Sequence, residues 1–201
     1  MALNRFPVEQ YASLELNQVA FPKPGMVVSQ VPLGAAFTKD APCENGMWVV
    51  ADKALGATNP PSATQGAVNA PIGIVYTTEK EYDMLHYGLK TFGRKIAGDY
   101  PRVGILGVGD TVTTNCFQYD DDEFEAVTTT GSEKTALEVL EEALTADLSL
   151  AANYLYVVPV AGSAVPKLTA TKPNSGIYGK VVKYYTVPNG EKAIKYQIIS
   201  L

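Results

Sequence analysis

Apolar residues in this chain come in short bursts between glycines and prolines, and only one stretch keeps a helical period. That contrast restricts the fold more than any other feature. The bursts are rich in Val, Ile, Thr and Tyr, residues that suit a pleated, half-buried strand. Residues 102–117, RVGILGVGDTVTTNCF, are typical. Val103, Ile105 and Val108 form one apolar run, Gly107 and Gly109 break it, and Asp110 marks a turn. Thr111, Val112, Thr113 and Thr114 then resume a strand. The spacing of Gly104, Gly107 and Gly109 is G-x-x-G-x-G. A dinucleotide fingerprint needs G-x-G-x-x-G and a helix N-terminus directly after it. Here a strand-like run follows, so the glycines read as turn residues.

Similar signals predict strands at residues 25–28, 35–38, 47–51, 72–77 and 154–160. Asn45-Gly46 reads as a turn. Residues 56–70 form a loop of small and turn-forming residues. Residues 161–176, with Pro166 and Pro173, read as loop with one short strand at 167–171. The chain closes on a hairpin. Residues 178–187 are one arm and 192–201 the other, with Pro188-Asn-Gly190 as the turn. Val181, Tyr185, Ile198 and Ile199 are expected in the core.

The helical period lies after a Thr130-Gly-Ser-Glu133 capping-box pattern. Leu137, Leu140, Leu144 and Leu148 make one apolar stripe, predicting a helix near 131–149 that covers a sheet. A shorter helix is expected at 82–89, after Thr78-Glu-Lys-Glu81. The expected fold is therefore mainly β: a β-sandwich or barrel-like domain over residues 25–201, with one longer α-helix.

Residues 1–24 read as an extended N-terminal arm. Pro7, Pro22 and Pro24 punctuate it, and Leu14, Leu16 and Phe21 supply spaced apolar anchors. Such a segment folds poorly alone and needs a surface, either its own domain or a neighbouring subunit. Leu14, Leu16 and Phe21 are the candidate partner-interface residues.

Composition narrows the function. Charged residues make up only 18% against roughly 25% in an average soluble domain, and tyrosines number 12. Both fit a protein surface that meets other proteins as well as they fit an ordinary β domain. The net charge of -5 argues against a nucleic-acid partner. No apolar run is long enough for a membrane-spanning helix, and the N-terminus lacks a secretory pattern. Cys43 and Cys116 are expected as buried free thiols in a chain made in a reducing cytoplasm.

No catalytic constellation is legible. His86 is the single histidine, and no G-x-S-x-G nucleophile motif accompanies it. No C-x-x-C or H-x-x-x-H pairing suggests zinc. Residues 120–125, DDDEFE, are consecutive acids without the glycine of a calcium loop, and are expected as a solvated loop. Neither a metal nor a cofactor is expected, nor an enzyme, although a carboxylate pair meeting only in space stays open.

Several blocks carry a resemblance. They are Met1-Ala-Leu-Asn-Arg-Phe6, Pro24-Gly-Met-Val-Val-Ser-Gln-Val-Pro32, Glu44-Asn-Gly-Met47, Pro101-Arg-Val-Gly-Ile-Leu106, Val108-Gly-Asp-Thr-Val-Thr-Thr-Asn115 and Thr186-Val-Pro-Asn-Gly-Glu191. Together the chain resembles a family of small structural proteins from tailed bacteriophages, taken to be head decoration or cement proteins. The resemblance implies a virion protein on the capsid surface that binds the major capsid protein, homo-oligomeric there and non-catalytic. It leaves the acidic stretch and the helix after it without a family role. Two alternatives stand beside it: a glycan- or receptor-binding module using Trp48 and tyrosines, and a neck or tail protein.

Overall fold

The computed structural model describes residues 3–8, 11–15, 26–28, 30–62, 71–77, 89–91, 95–124, 128–129 and 132–201. The chain begins with β1 (Leu3–Arg5), β2 (Ser13–Glu15), β3 (Val27–Val28), β4 (Trp48–Asp52), β5 (Ala57–Asn59) and β6 (Ile72–Val75). It continues through β7 (Leu89–Thr91), β8 (Val103–Ile105), β9 (Thr111–Thr114), β10 (Gln118–Asp120) and the short pair β11 (Thr128–Thr129) and β12 (Ser132–Glu133). Helix α1 (Ala136–Thr145) follows, then β13 (Tyr156–Val160), β14 (Ser163–Thr169), β15 (Tyr178–Thr186) and β16 (Lys192–Ser200). The fold is mainly β, as expected, with one α-helix among the described residues.

The larger sheet has the order β1-β10-β14-β13-β15-β16-β9-β2-β7, and the smaller β3-β8-β6-β4-β5. Strands β9 and β10 are separated by only Asn115, Cys116 and Phe117. Four residue steps span at most about 14 Å. In a flat sheet the five strand gaps between them would need about 24 Å. The sheet must therefore curl until its halves meet at this bend. Asn115, Cys116 and Phe117 are all fully buried there.

Strands β8 and β9, which sequence pattern joins by a tight turn, belong to different sheets. The Gly107 N–H donates to Asp110 Oδ2 at 2.7 Å, and the Asp110 N–H to the Gly107 carbonyl at 3.1 Å. This closed turn hands the chain from one sheet to the other. It is anchored where the Gly109 N–H meets the Ile198 carbonyl (2.8 Å) and the Ile198 N–H meets that of Asp110 (2.9 Å).

Strand β4 explains its own unbroken apolar sequence. Successive side chains of a strand point to opposite faces. Trp48 and Val50 enter one core with Phe6, Leu14, Phe117, Leu140, Leu144, Tyr196 and Ile198. Met47, Val49 and Ala51 enter a second with Val31, Leu33, Phe37, Cys43, Val103 and Cys116. A strand covered on both faces has no polar side to show. Residues 35–38 feed this second core as a turn and not as a strand, with Phe37 buried.

Helix α1 is shorter than its expected 131–149 and starts at a different box. Ser132–Glu133 lies in β12. The operative box has the same spacing five residues on: Thr135 Oγ1 accepts the Glu138 N–H at 3.3 Å, and the Glu138 carboxylate accepts the Thr135 N–H at 2.7 Å. After Thr145 the Asp147 carboxylate accepts the Ser149 N–H at 3.0 Å, a local turn that competes with another helical turn. The stripe itself is as read: Leu140 and Leu144 are buried, and Leu137 and Leu148 pack beside them.

Strand β14 begins earlier than the expected strand at 167–171 and contains Pro166. Proline cannot donate to a ladder. It falls where the β13–β14 register shifts, between Val160↔Ser163 and Val158↔Lys167. The closing hairpin has the expected turn. The Gly190 N–H donates to the Val187 carbonyl at 2.9 Å, and Gly190 has φ +90°. Nothing lies near a Cβ built at Gly190, so Gly190→Val tests backbone conformation alone. Left-handed φ costs an L-residue about 1–2 kcal/mol, so the variant is expected to melt several degrees below the parent. An unchanged midpoint would refute the turn. Of the four residues expected in the core, Val181 and Ile198 are fully buried, Tyr185 is half-buried against Val187 and Ala193, and Ile199, the extra residue of a bulge, is 42% exposed.

The N-terminal residues are not an arm outside the domain. β1 pairs antiparallel with β10, and β2 with both β9 and β7. The first fifteen residues thus contribute two strands to the sheet wherever they are described.

Candidate functional site

A largely enclosed polar cluster gathers where the two sheets meet. Gly46 brings the Cys43–Met47 turn against the β9–β10 bend. Its φ is +88°, and an added Cβ would lie 2.5 Å from Thr114 Oγ1 and 2.7 Å from Cys116 Cβ. Only glycine permits that approach. The turn aims the Glu44 carboxylate at Arg5 on β1. Arg5 Nη1 donates to Glu44 Oε1 at 3.2 Å, and Nη2 donates to Oε2 in a second, closer bond. The Ala12 N–H donates to Oε2 at 2.9 Å. The Glu44 side chain is 6% exposed and that of Arg5 32%.

Two thiols adjoin this pair. Arg5 Nη2 lies 3.9 Å from Cys116 Sγ. Burial pushes the Cys116 thiol up to about 12; Glu44 adds to the rise and Arg5 opposes it. Burial also raises Cys43, with Cys116 and Glu44 adding to it. Both cysteines are free and buried. Thiols in this state are poor nucleophiles. Neither should react with an aromatic disulfide reagent at about pH 8 until denaturant is added. Rapid labelling of the native protein would refute that.

The Arg5 head borders a groove of 350 Å³ lined also by Phe37, Asp40, Met47, Pro60 and Ser163. The carboxylate beside it has both oxygens engaged, so it does not offer a general base. The cluster reads as a clamp holding β1, the Cys43–Met47 turn and the β9–β10 bend together.

Two further clusters work the same way. Glu191, after the hairpin turn, accepts from Asn115 Nδ2 at 2.7 Å, Asn189 Nδ2 at 3.0 Å and Ser13 Oγ at 3.4 Å. Asn115 Oδ1 in turn accepts the Ser13 N–H at 2.7 Å. The acidic stretch forms the third and corrects the expected solvated loop. Asp120 is buried, and Phe124 tucks into the core. Lys167 Nζ lies 3.0 Å from Glu123 and 3.6 Å from Asp120. Glu123 also accepts from the Thr169 hydroxyl and the Ala170 N–H. Burial would raise its carboxyl pKa, but bonds from Thr169, Lys167 and Ala170 outweigh that and lower it. Among the described residues no group of three or more His, Cys, Asp or Glu side chains could hold a metal ion.

The structure also decides other sequence candidates. Leu14 is fully buried in its own domain, between Thr114 and Lys90 in the sheet. It is withdrawn as a partner anchor. Leu16, Phe21 and His86 lie outside the described residues, as does the helix expected at 82–89 apart from Leu89, which is in β7. Trp48 is fully buried with its Nε1–H donating to the Tyr196 hydroxyl at 2.9 Å, so it is no sugar platform. After Gly104, Gly107 and Gly109 the chain enters β9 and no helix, which removes the phosphate-loop geometry.

The Arg5–Glu44 and Asn115–Glu191 contacts were missed in the sequence. No local signal marks them, because 39 and 76 residues separate the partners. Among the described residues no helix is long and apolar enough to cross a membrane. Comparison with known family descriptions, with curated proteins and with solved structures finds no match to this chain.

Proposed function

We propose that this chain is a non-catalytic virion protein that binds the major capsid shell of a tailed bacteriophage and stabilises it. The resemblance carried by the six sequence blocks is the starting point. What supports it is that these blocks, spread over residues 1–191, meet in space. Arg5 of the first holds Glu44 of the third. Val27 of the second pairs with Gly104 of the fourth. Gly46 abuts Thr114 of the fifth, and Asn115 bonds Glu191 of the sixth. Blocks that contact one another in this way fit a scaffold built from them, four of them at the sheet junction and two side by side in the smaller sheet. At that junction the carboxylates of Glu44 and Glu191 are used as cross-links between segments.

Stabilisation would follow from mass action, since a ligand of the assembled shell and not of its free subunits shifts assembly toward the shell. The test is co-sedimentation of the purified protein with empty shells assembled from the major capsid protein of the same phage, followed by thermal disruption of the shells. Saturable binding and a higher disruption temperature are expected. Absence of binding, or binding only to neck or tail components, would refute the proposal.

A further inference from the structure

The outward face of the closing hairpin carries charge that the fold does not neutralise. Lys183 and Lys195 are direct cross-strand partners, and like charges opposite each other destabilise a sheet. The directly paired positions of the flanking strands bring no acid to them, and the carboxylate bordering this face, that of Glu15 on β2, is one strand beyond β9. Lys195 faces Thr113 on β9, and Lys180, farther along β15, faces Tyr156 on β13. Lys180 Nζ sits 3.2 Å from the centre of the Tyr154 ring, and Lys183 Nζ 5.2 Å from that of Tyr185. Such contacts hold an ammonium group in place without cancelling its charge. Among the described residues none of these three lysines makes an ion pair. Lys167 on β14 is the contrast, since Asp120 and Glu123 both face it. The same hairpin has two bulges, which leave Val182 45% and Ile199 42% exposed.

We propose that this face of β15–β16 docks an acidic surface of a partner protein. Lys180, Lys183 and Lys195 would meet its carboxylates, and Val182 and Ile199 would add apolar contact. The proposal deepens the shell-binding reading by naming the partner's chemistry. The charge balance argues for it. The chain carries -5 overall, so an acidic partner is repelled elsewhere and attracted here, which sets its orientation. A nucleic acid fits less well. Glu15 borders the face, its carboxylate accepting from the Tyr185 hydroxyl at 3.4 Å. A phosphate backbone is a long run of charge and needs an extended basic track. Three lysines beside Glu15 on a chain of net charge -5 do not offer one, whereas a compact set of carboxylates needs only the three lysines.

The test uses the full chain, a fluorescent glutamate-rich peptide, single-stranded DNA of equal length, and empty shells. Lys183→Gln/Lys195→Gln is compared with Lys39→Gln/Lys53→Gln, two exposed lysines elsewhere. The peptide is expected to bind parent and control alike at low salt and the hairpin variant about tenfold more weakly. The hairpin variant should melt at the parent's midpoint or above, because a cross-strand repulsion is removed. Equal peptide binding by both variants, no peptide binding, or tighter binding of DNA would overturn the docking face. Shells separate the two proposals. If the parent binds shells and the hairpin variant binds equally well, the docking face fails while shell binding stands. If the parent ignores shells yet loses the peptide with these two lysines, shell binding fails and the acidic-partner face stands.

Discussion

Deletion of residues 1–15 is expected to abolish cooperative unfolding. The segment reads as an extended arm in the sequence, but it supplies β1, the edge partner of β10, and β2, which lies between β9 and β7. It removes Phe6, which stacks on Phe117 with ring centres 4.4 Å apart, and Leu14, which is fully buried. Truncating core Phe and Leu side chains costs about 3–5 and 2–5 kcal/mol respectively. Losing Arg5 leaves the Glu44 carboxylate buried without its cation, about 3–5 kcal/mol more. Together these rival the roughly 5–15 kcal/mol that holds an ordinary domain folded. Far-UV circular dichroism through a urea titration is the check. A cooperative transition at the parent's midpoint would mean that the N-terminal strands are an appendage after all.

Arg5→Met should be strongly destabilising, at about 3–5 kcal/mol. The reason is asymmetry of burial. The Glu44 side chain is 6% exposed and depends on Arg5 and the Ala12 N–H, whereas Arg5 is 32% exposed and can reach water when its partner is gone. Glu44→Gln should therefore cost clearly less. It keeps an oxygen for the Ala12 N–H and introduces no buried charge. The double variant Arg5→Met/Glu44→Met should recover much of the loss, since well-packed apolar groups often replace a buried pair at little cost. Urea unfolding of the three variants at neutral pH gives the order. If Glu44→Gln proves worse than Arg5→Met, the clamp is not held as described.

The parts of the molecule that were legible in sequence are those whose physics is local. A leucine stripe at spacings of three and four specified which face of α1 is buried, because neighbouring turns of one helix suffice to define it. Its ends were misplaced because two Thr-x-x-Glu patterns lie five residues apart, and nothing in either says which begins the helix. Pro188, Asn189 and Gly190 specified the hairpin turn through their own backbone preferences. At Ile199 the alternation rule failed, because a bulge depends on the partner strand's register and leaves no mark in one strand alone.

Chain closure decided the rest. The N-terminal residues looked like an arm because two three-residue strands have too short a pattern to show a period. They become strands only because the bent stretch 111–120 offers them edges. Val103–Ile105 and Thr111–Thr114 read as neighbours across a turn, yet each found its partners elsewhere, β8 with β3 and β6, and β9 with β16 and β2. The acidic run at 120–124 looked solvated because its cation, Lys167, comes from β14. By itself the sequence determined a β-rich chain with one amphipathic helix, a closing hairpin and buried thiols. The tertiary structure alone decided which strands pair, which charges are cancelled and which are left facing out. Turns and stripes draw on residues a few positions apart, whereas pairing and charge balance draw on residues that meet only once the sheet has curled.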